Sequence, residues 1–220
     1  MKIFLDSANI QEIEDALSLG IIEGITTNPT LIAKSGKNPR QILSQICGLT
    51  KIEVSAEVFS EEYTKIIEEG KSLYDIAENI VLKLPLTIDG LKACNFFASK
   101  GLKTNITLCF SPAQALLAGK SGATYISPFI GRLDDIGENG LDLISDIKEI
   151  YSKSSSIKTQ ILAASIRSDQ HIISVAKIGA DAATIAYKLL LRMFAHKLTD
   201  KGLEIFRNDI KTSGIDLSIK

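Results

Sequence analysis

The chain has 220 residues, the length of one domain, and hydrophobic residues make up 45% of it, which allows a substantial core. Its 25 Lys and Arg nearly balance its 26 Asp and Glu, so charge gives no case for a nucleic-acid or membrane-surface ligand. The apolar start is too short for a signal peptide and no stretch is long enough to span a bilayer, which predicts a cytoplasmic protein. The three cysteines, Cys47, Cys94 and Cys109, form neither a disulfide framework nor a zinc pattern and are expected to be buried.

Eight apolar or β-branched runs recur along the chain, mostly separated by segments with helical periodicity. The predicted strands are Lys2–Asp6, Gly24–Asn28, Ile52–Val58, Ile80–Leu84, Lys103–Leu108, Tyr125–Phe129, Ile161–Ser165 and Ala182–Ala186. Asn38-Pro39 and Ser111-Pro112 are start signals for two of the intervening helices. Eight strand–helix units favour a closed barrel over an open sheet, and no Gly-x-Gly-x-x-Gly follows a strand to support dinucleotide binding. We therefore predict an α/β fold, a single-domain (β/α)8 TIM barrel over residues 1–220.

The end of the chain differs from the repeated units. A last helix is predicted over residues 199–212, with Leu203, Phe206 and Ile210 forming an apolar stripe and no strand after it. This extra C-terminal helix could pack on its own barrel or form an arm that docks on a neighbouring subunit.

Polar residues concentrate on one face of the predicted strands. Side chains alternate along a strand, so in a barrel one set points into the lumen and the other toward the helices. The apolar set, including Leu108, Leu162 and Ala164, is expected against the helices. The polar set is expected in the lumen, near the C-terminal strand ends where barrel active sites form. Its members are Asp6, Thr26, Asn28, Glu57, Lys83, Asn105, Thr107, Ser127 and Ser165.

Most of these residues have an ordinary structural explanation when taken alone. Asp6 could cap a helix, and Asn28 with Pro29 could form a turn. Glu57 could be a satisfied ion-pair partner. Lys83 lies in a segment that is apolar on both sides, and its structural alternative is a Lys–carboxylate pair. An amine must be unprotonated to attack a carbonyl, and desolvation favours the neutral form, so the pattern also predicts a Schiff-base lysine. Asp6 and Glu57 are then candidates for proton transfer.

Two arginines indicate a phosphate site. Arg132 follows the sixth predicted strand and Arg167 the seventh, so adjacent strands place both at the mouth of the barrel, beside Ser165. Two guanidinium groups and a hydroxyl suit a phosphate dianion. His171 and His196 lie on separate helices without carboxylates at metal-ligand spacing, so no metal site is predicted.

Long segments of the chain resemble the small bacterial transaldolases. They are Phe4-Leu5-Asp6-Ser7-Ala8, Gly24-Ile25-Thr26-Thr27-Asn28-Pro29-Thr30, Val81-Leu82-Lys83-Leu84-Pro85-Leu86-Thr87, Asn105-Ile106-Thr107-Leu108-Cys109-Phe110-Ser111, Ile126-Ser127-Pro128-Phe129-Ile130-Gly131-Arg132-Leu133-Asp134 and Ala163-Ala164-Ser165-Ile166-Arg167. The resemblance extends over essentially the whole chain. It implies transfer of a dihydroxyacetone unit between sugar phosphates in the pentose phosphate pathway, with no metal or organic cofactor.

The resemblance also implies roles for individual residues. Lys83 would form the Schiff base, Asp6 would act on the substrate hydroxyl during carbon–carbon cleavage, and Glu57 with Thr107 and a water would move protons as the imine forms and hydrolyses. The remaining site residues would bind substrate. Thr26, Asn28, Asn105, Ser127 and Phe129 would surround the three-carbon unit, and Arg132, Ser165 and Arg167 would hold the phosphate. A homo-oligomer, often a decamer of two pentamers with crossing C-terminal helices, is implied as well.

Fructose-6-phosphate aldolases share this barrel and provide the main alternative. They carry a glutamine at the position of Glu57 and a tyrosine at that of Phe129, and they lack the asparagine found here as Asn105, so all three positions resemble transaldolases. Ala186 is a departure, since relatives often have proline there. A barrel that binds sugar phosphates without catalysis is the remote alternative.

Overall fold

Eight parallel strands close into a barrel in the computed structural model, which describes residues 1–214; the last six residues of the predicted domain lie outside this range. The strands are β1 Lys2–Asp6, β2 Gly24–Thr26, β3 Glu53–Glu57, β4 Ile80–Pro85, β5 Thr104–Cys109, β6 Tyr125–Pro128, β7 Gln160–Ala163 and β8 Ala182–Ile185. Each strand pairs with the next one in the chain, and β8 pairs with β1. The predicted (β/α)8 barrel is therefore confirmed.

Helices follow every strand. They are α1 Ile10–Ser18, α2 Pro29–Lys34, α3 Pro39–Leu49, α4 Tyr63–Tyr74, α5 Ile88–Ala98, α6 Pro112–Lys120, α7 Ile130–Asp134, α8 Gly140–Ser152, α9 Asp169–Ile178, α10 Tyr187–Arg192 and α11 Lys197–Ser213. The two predicted start signals are confirmed, because the side chains of Asn38 and Ser111 accept backbone N–H bonds in the first turns of α3 and α6. Asn28 was placed in a strand, but it caps the short helix α2 and accepts from the N–H of Leu31. Ala186 precedes α10 with φ of −67°, which is the value that proline imposes, so alanine keeps the same backbone at this turn.

Two apolar clusters hold the barrel together. The larger one fills the space between the strands and the surrounding helices. The smaller one fills the lumen beneath the mouth and consists of Phe4, Val81, Tyr125, Leu162 and Ala182. The rings of Phe4 and Tyr125 meet edge to face, with centroids 5.7 Å apart. This lumen cluster closes the barrel below the polar residues.

The predicted orientation is wrong at the ends of β5 and β7. Leu162 packs in the lumen cluster, and Ala164 lines a cavity at the mouth, although both were expected against the helices. Alternation places Ser165 on the face opposite Leu162 and Ala164, but Ser165 has φ of +59°, which breaks the alternation after the strand. Leu108 has φ of +63° and likewise lines a cavity at the mouth, where the pairing of β5 with β6 shifts register.

The last helix, α11, buries none of its residues in this chain. Leu203 is 53% exposed and Phe206 65% exposed, and Leu198, Ile205 and Ile210 are exposed as well. The apolar stripe of this helix is therefore uncovered in the single chain. Within residues 1–214, none of the helices combines the length and the apolar character that crossing a membrane requires.

Candidate active site

The strand register brings the central predicted residues side by side. Lys83 of β4 lies opposite Glu57 of β3 on one side and Asn105 of β5 on the other. Asp6 of β1 lies opposite Thr26 of β2 in the same way. Paired residues of adjacent parallel strands point to the same face, so these side chains form one layer at the C-terminal end of the barrel.

Lys83 lies at the centre of this layer and is only 5% exposed. Its Nζ is 2.9 Å from Oε2 of Glu57 and donates a hydrogen bond to the carbonyl oxygen of Thr27 at 3.2 Å. The short contact provides a direct route by which a proton can pass from the amine to the Glu57 carboxylate.

Asp6 faces the same space from the opposite side of the barrel. The hydroxyl of Thr26 donates to Oδ1 of Asp6 at 2.7 Å and lies 2.6 Å from the hydroxyl of Thr184. Burial raises the pKa of the Asp6 carboxyl above its ordinary value, and the Thr26 hydrogen bond and the charge of Lys83 only partly offset that effect. A raised pKa brings a carboxylate closer to the value that suits proton transfer near neutral pH.

An amide and hydroxyl network completes the layer. The amide nitrogen of Asn105 donates to Oγ of Ser55 at 3.2 Å, and Oγ of Ser127 donates to the amide oxygen of Asn105 at 2.7 Å. These bonds fix which way the Asn105 amide points.

Thr107 is fully buried, and its hydroxyl has no hydrogen-bond partner among residues 1–214. An unsatisfied buried hydroxyl is costly, so this position suits a bound water or substrate atom.

Two cavities flank Lys83. One has a volume of about 190 Å³ and contains Asp6, Thr26 and Ser127 in its wall together with both predicted phosphate arginines. The other has a volume of about 320 Å³ and contains Glu57, Thr107 and Leu108. Both cavities are lined by Asn28, Lys83, Phe129 and Arg132. A larger hollow of about 980 Å³ lies at the opposite end of the barrel and contains none of the predicted site residues.

The predicted phosphate residues meet in the smaller cavity. Arg132 of α7 places its guanidinium 4.8 Å from the centre of the Phe129 ring, a stacking distance. Arg167 follows β7, and its guanidinium is 2.7 Å from Oδ2 of Asp135. Ser165 and Ala164 line the same cavity as the two arginines. The arrangement can bind an anion in a cavity that the Lys83 side chain also lines.

Some residues of the site were not predicted. Thr184 lines the smaller cavity, and its hydroxyl forms a hydrogen bond with that of Thr26. Alternation along β8 predicts this position, because Thr184 shares a face with Ala182 of the lumen cluster. Asp135 pairs with Arg167, and no sequence signal indicates that contact. Within residues 1–214, no group of three His, Cys, Asp or Glu side chains is arranged to hold a metal ion.

Known proteins match the chain over nearly its full length. The model of the family described as Transaldolase/Fructose-6-phosphate aldolase matches residues 3–218. A probable transaldolase of Caldicellulosiruptor saccharolyticus is 52% identical over 95% of this chain and 96% of the relative. A probable transaldolase of Bartonella tribocorum is 51% identical over 99% of this chain and 100% of the relative.

A solved structure supports the fold alone. The thiamine phosphate pyrophosphorylase of Pyrococcus furiosus superposes with a TM-score of 0.57 over 84% of this chain and 85% of that one, at 16% identity. Such low identity carries no statement about activity. The family match and the two relatives at about half identity do identify the lineage. The chain belongs to the transaldolase/fructose-6-phosphate aldolase family.

Proposed function

We propose that the protein is a transaldolase that moves a dihydroxyacetone unit through a Schiff base on Lys83. The donor would be fructose 6-phosphate or sedoheptulose 7-phosphate, and the acceptor erythrose 4-phosphate or glyceraldehyde 3-phosphate, as in the pentose phosphate pathway. The main support is the position of the Lys83 amine, which is buried beside Glu57 and opens into both cavities at the mouth. Membership in the family and the names of the relatives agree with this proposal.

Imine formation begins with the pair of Lys83 and Glu57. Glu57 takes a proton from Nζ, and the neutral amine adds to C2 of the ketose to give a carbinolamine. Glu57 then returns the proton to the departing hydroxyl, so that water leaves and the iminium forms. The buried hydroxyl of Thr107 lines the same cavity as Glu57 and is placed to hold that water.

Carbon–carbon cleavage is assigned to Asp6. Its carboxylate takes the proton of the C4 hydroxyl, the C3–C4 bond breaks, and the bonding electrons move into the iminium to give an enamine. The aldose phosphate leaves, a second aldose phosphate enters, and the same steps run in reverse. Asn28, Asn105 and Ser127 would hold the three-carbon unit, with Thr26 supporting Asp6.

The phosphate is assigned to the smaller of the two cavities that flank Lys83, the one of about 190 Å³. Arg132 and Arg167 supply two guanidinium groups there, and Ser165 supplies a hydroxyl. A guanidinium binds a phosphate with two parallel hydrogen bonds, which fixes orientation as well as charge. Both donor and acceptor carry a phosphate at the end remote from the reacting carbon, so one site serves both.

A two-substrate assay tests the transfer. Fructose 6-phosphate alone should yield almost no free dihydroxyacetone, because the enamine waits on Lys83 for an aldehyde. Addition of erythrose 4-phosphate should produce sedoheptulose 7-phosphate and glyceraldehyde 3-phosphate in equal amounts. Steady release of dihydroxyacetone without an acceptor would support the aldolase alternative instead.

Phe129 offers a direct test of the choice between transfer and release. Its ring contacts Phe110 at a centroid distance of 5.8 Å and lies under Arg132, and the Phe129 side chain itself carries no group that could donate a proton. Phe129→Tyr adds a hydroxyl that can deliver a proton to the enamine, and acceptor-independent release should rise by at least about ten-fold. Phe110→Tyr, which adds the same hydroxyl to the neighbouring ring, is the matched control. Equal release by the wild type and the Phe129 variant would contradict the assigned role.

We also propose that the protein is a homo-oligomer in which α11 contacts another subunit. The helix exposes its apolar side chains and buries none in its own chain. Large exposed apolar patches typically mark interfaces. Sedimentation velocity should give a mass well above that of one chain, and a monomer at micromolar concentration would refute this proposal.

A further inference from the structure

A left-handed turn follows β7 and carries two of the proposed phosphate ligands. Ser165 has φ of +59°, a conformation that residues other than glycine rarely adopt. Such a conformation persists where neighbouring contacts enforce it, and these positions concentrate at functional sites. The turn leads through Ile166 to Arg167, so the backbone angle at Ser165 sets the direction of the Arg167 side chain.

Gly131 of α7 holds one side of this turn. Its N–H donates to the carbonyl oxygen of Ser165 at 3.1 Å. A Cβ at position 131 would lie 2.2 Å from that same oxygen, 2.6 Å from Cγ of Arg167 and 2.7 Å from its Nε. These separations are far inside van der Waals contact. Only glycine therefore allows α7 to lie against both the turn and the stem of the Arg167 side chain.

His171 of α9 holds the other side. Its Nδ1 accepts a hydrogen bond from the backbone N–H of Arg167 at 3.3 Å, and its Nε2 lies 3.2 Å from Oδ2 of Asp134. An imidazole that accepts through Nδ1 can donate its Nε2–H to the Asp134 carboxylate at the same time. The imidazole thus links α9 to α7 across the Arg167 backbone.

We infer that Gly131 and His171 are positioning residues that set the strength of phosphate binding by fixing the turn at Ser165 and Arg167. The inference rests on the proposed function, which makes Ser165 and Arg167 phosphate ligands, and extends it by naming what holds them. Arg132 lies in α7 as well, so this five-residue helix determines the placement of both guanidinium groups. Neither positioning residue touches the space around the Lys83 amine.

Gly131→Ala tests the inference, because it should weaken phosphate binding much more than it slows turnover. The KM for fructose 6-phosphate and the inhibition constant of inorganic phosphate should both rise by at least ten-fold, while kcat falls by less than about three-fold. Gly48→Ala is the matched control, because a Cβ there meets open space on α3, outside the site. An unchanged KM, or a fall in kcat without a change in KM, would overturn the inference.

His171 supplies an independent variant if the alanine at position 131 prevents folding. His171→Ala should weaken phosphate binding, and His171→Asn should restore most of it, because an asparagine side-chain oxygen can accept where Nδ1 does. Calorimetric titration with inorganic phosphate measures this without turnover. Wild-type protein that binds phosphate but transfers no dihydroxyacetone would refute the proposed function alone, whereas equal phosphate affinity in the wild type and His171→Ala would refute the positioning role alone.

Discussion

Replacement of Lys83 with methionine is expected to abolish transfer, lowering kcat by more than about 10⁴-fold, because loss of a covalent nucleophile can cost on the order of 10⁶ in kcat. Methionine keeps a similar length in this buried position but cannot form an imine. Borohydride reduction in the presence of fructose 6-phosphate should add the mass of dihydroxyacetone less one oxygen atom to the peptide that contains Lys83 in the wild type. The variant should gain no such mass.

The Lys83 variant needs a control for folding. Removing the amine leaves the largely buried Glu57 carboxylate without the partner that now lies 2.9 Å away, and breaking a buried pair from one side costs about 3–5 kcal/mol. Lys83→Met combined with Glu57→Gln removes both charges and should recover most of the lost unfolding free energy without recovering activity. An active, folded double variant would refute the Schiff-base mechanism at this residue.

Replacement of Asp6 with asparagine is expected to lower kcat by about 10²–10⁴-fold, the usual contribution of a general acid–base group. Asparagine keeps the oxygen that accepts from Thr26 but cannot take the C4 hydroxyl proton. The variant should still form the imine, because that step is assigned to Glu57. Borohydride should therefore trap the intact six-carbon ketose on Lys83 in this variant. Trapping of the three-carbon unit at the wild-type rate would contradict the role of Asp6.

The same substitution should make the protein more stable at neutral pH. Burial raises the pKa of Asp6 in the folded state, so folding favours its protonated form, and the carboxylate opposes folding once pH rises above the ordinary aspartate value. Asparagine has no charge to desolvate. The gain in unfolding free energy should be present at pH 7 and should disappear below about pH 4, where Asp6 is protonated in both states. Urea unfolding of both proteins at the two pH values measures this difference, and a variant less stable at pH 7 would contradict it.

The barrel was predictable because its signals repeat. Each strand is a short apolar run, and the polar residues at the strand ends follow the two-residue period of a pleated strand. The register of β3, β4 and β5 then places Glu57, Lys83 and Asn105 beside one another, as expected for lumen-facing residues at the same level. Alternation fails only where the backbone leaves the extended region, at Leu108 and Ser165, and single-residue conformations of that kind have no periodic signal.

Other features of the site depend on contacts between distant segments. The bond between Arg167 and Asp135 and the link from His171 to Asp134 each join elements whose distance in space the sequence does not specify. The short helices α2 and α7 were also missed, because five or six residues are too few for a helical period to be recognised. Asn28-Pro29 did carry a start signal, since asparagine before proline is a common helix opening.

The lumen cluster of Phe4, Val81, Tyr125, Leu162 and Ala182 has a kinetic consequence. The cluster fills the barrel below the amine, so in the proposed transfer the first aldose product and the second aldose substrate would use the same opening and the same pair of arginines. The two cannot occupy the protein together. Initial-rate plots at several acceptor concentrations should therefore be parallel lines, the pattern of a double-displacement reaction. The two phosphorylated aldehydes should inhibit each other by competing for the same enamine form of the enzyme.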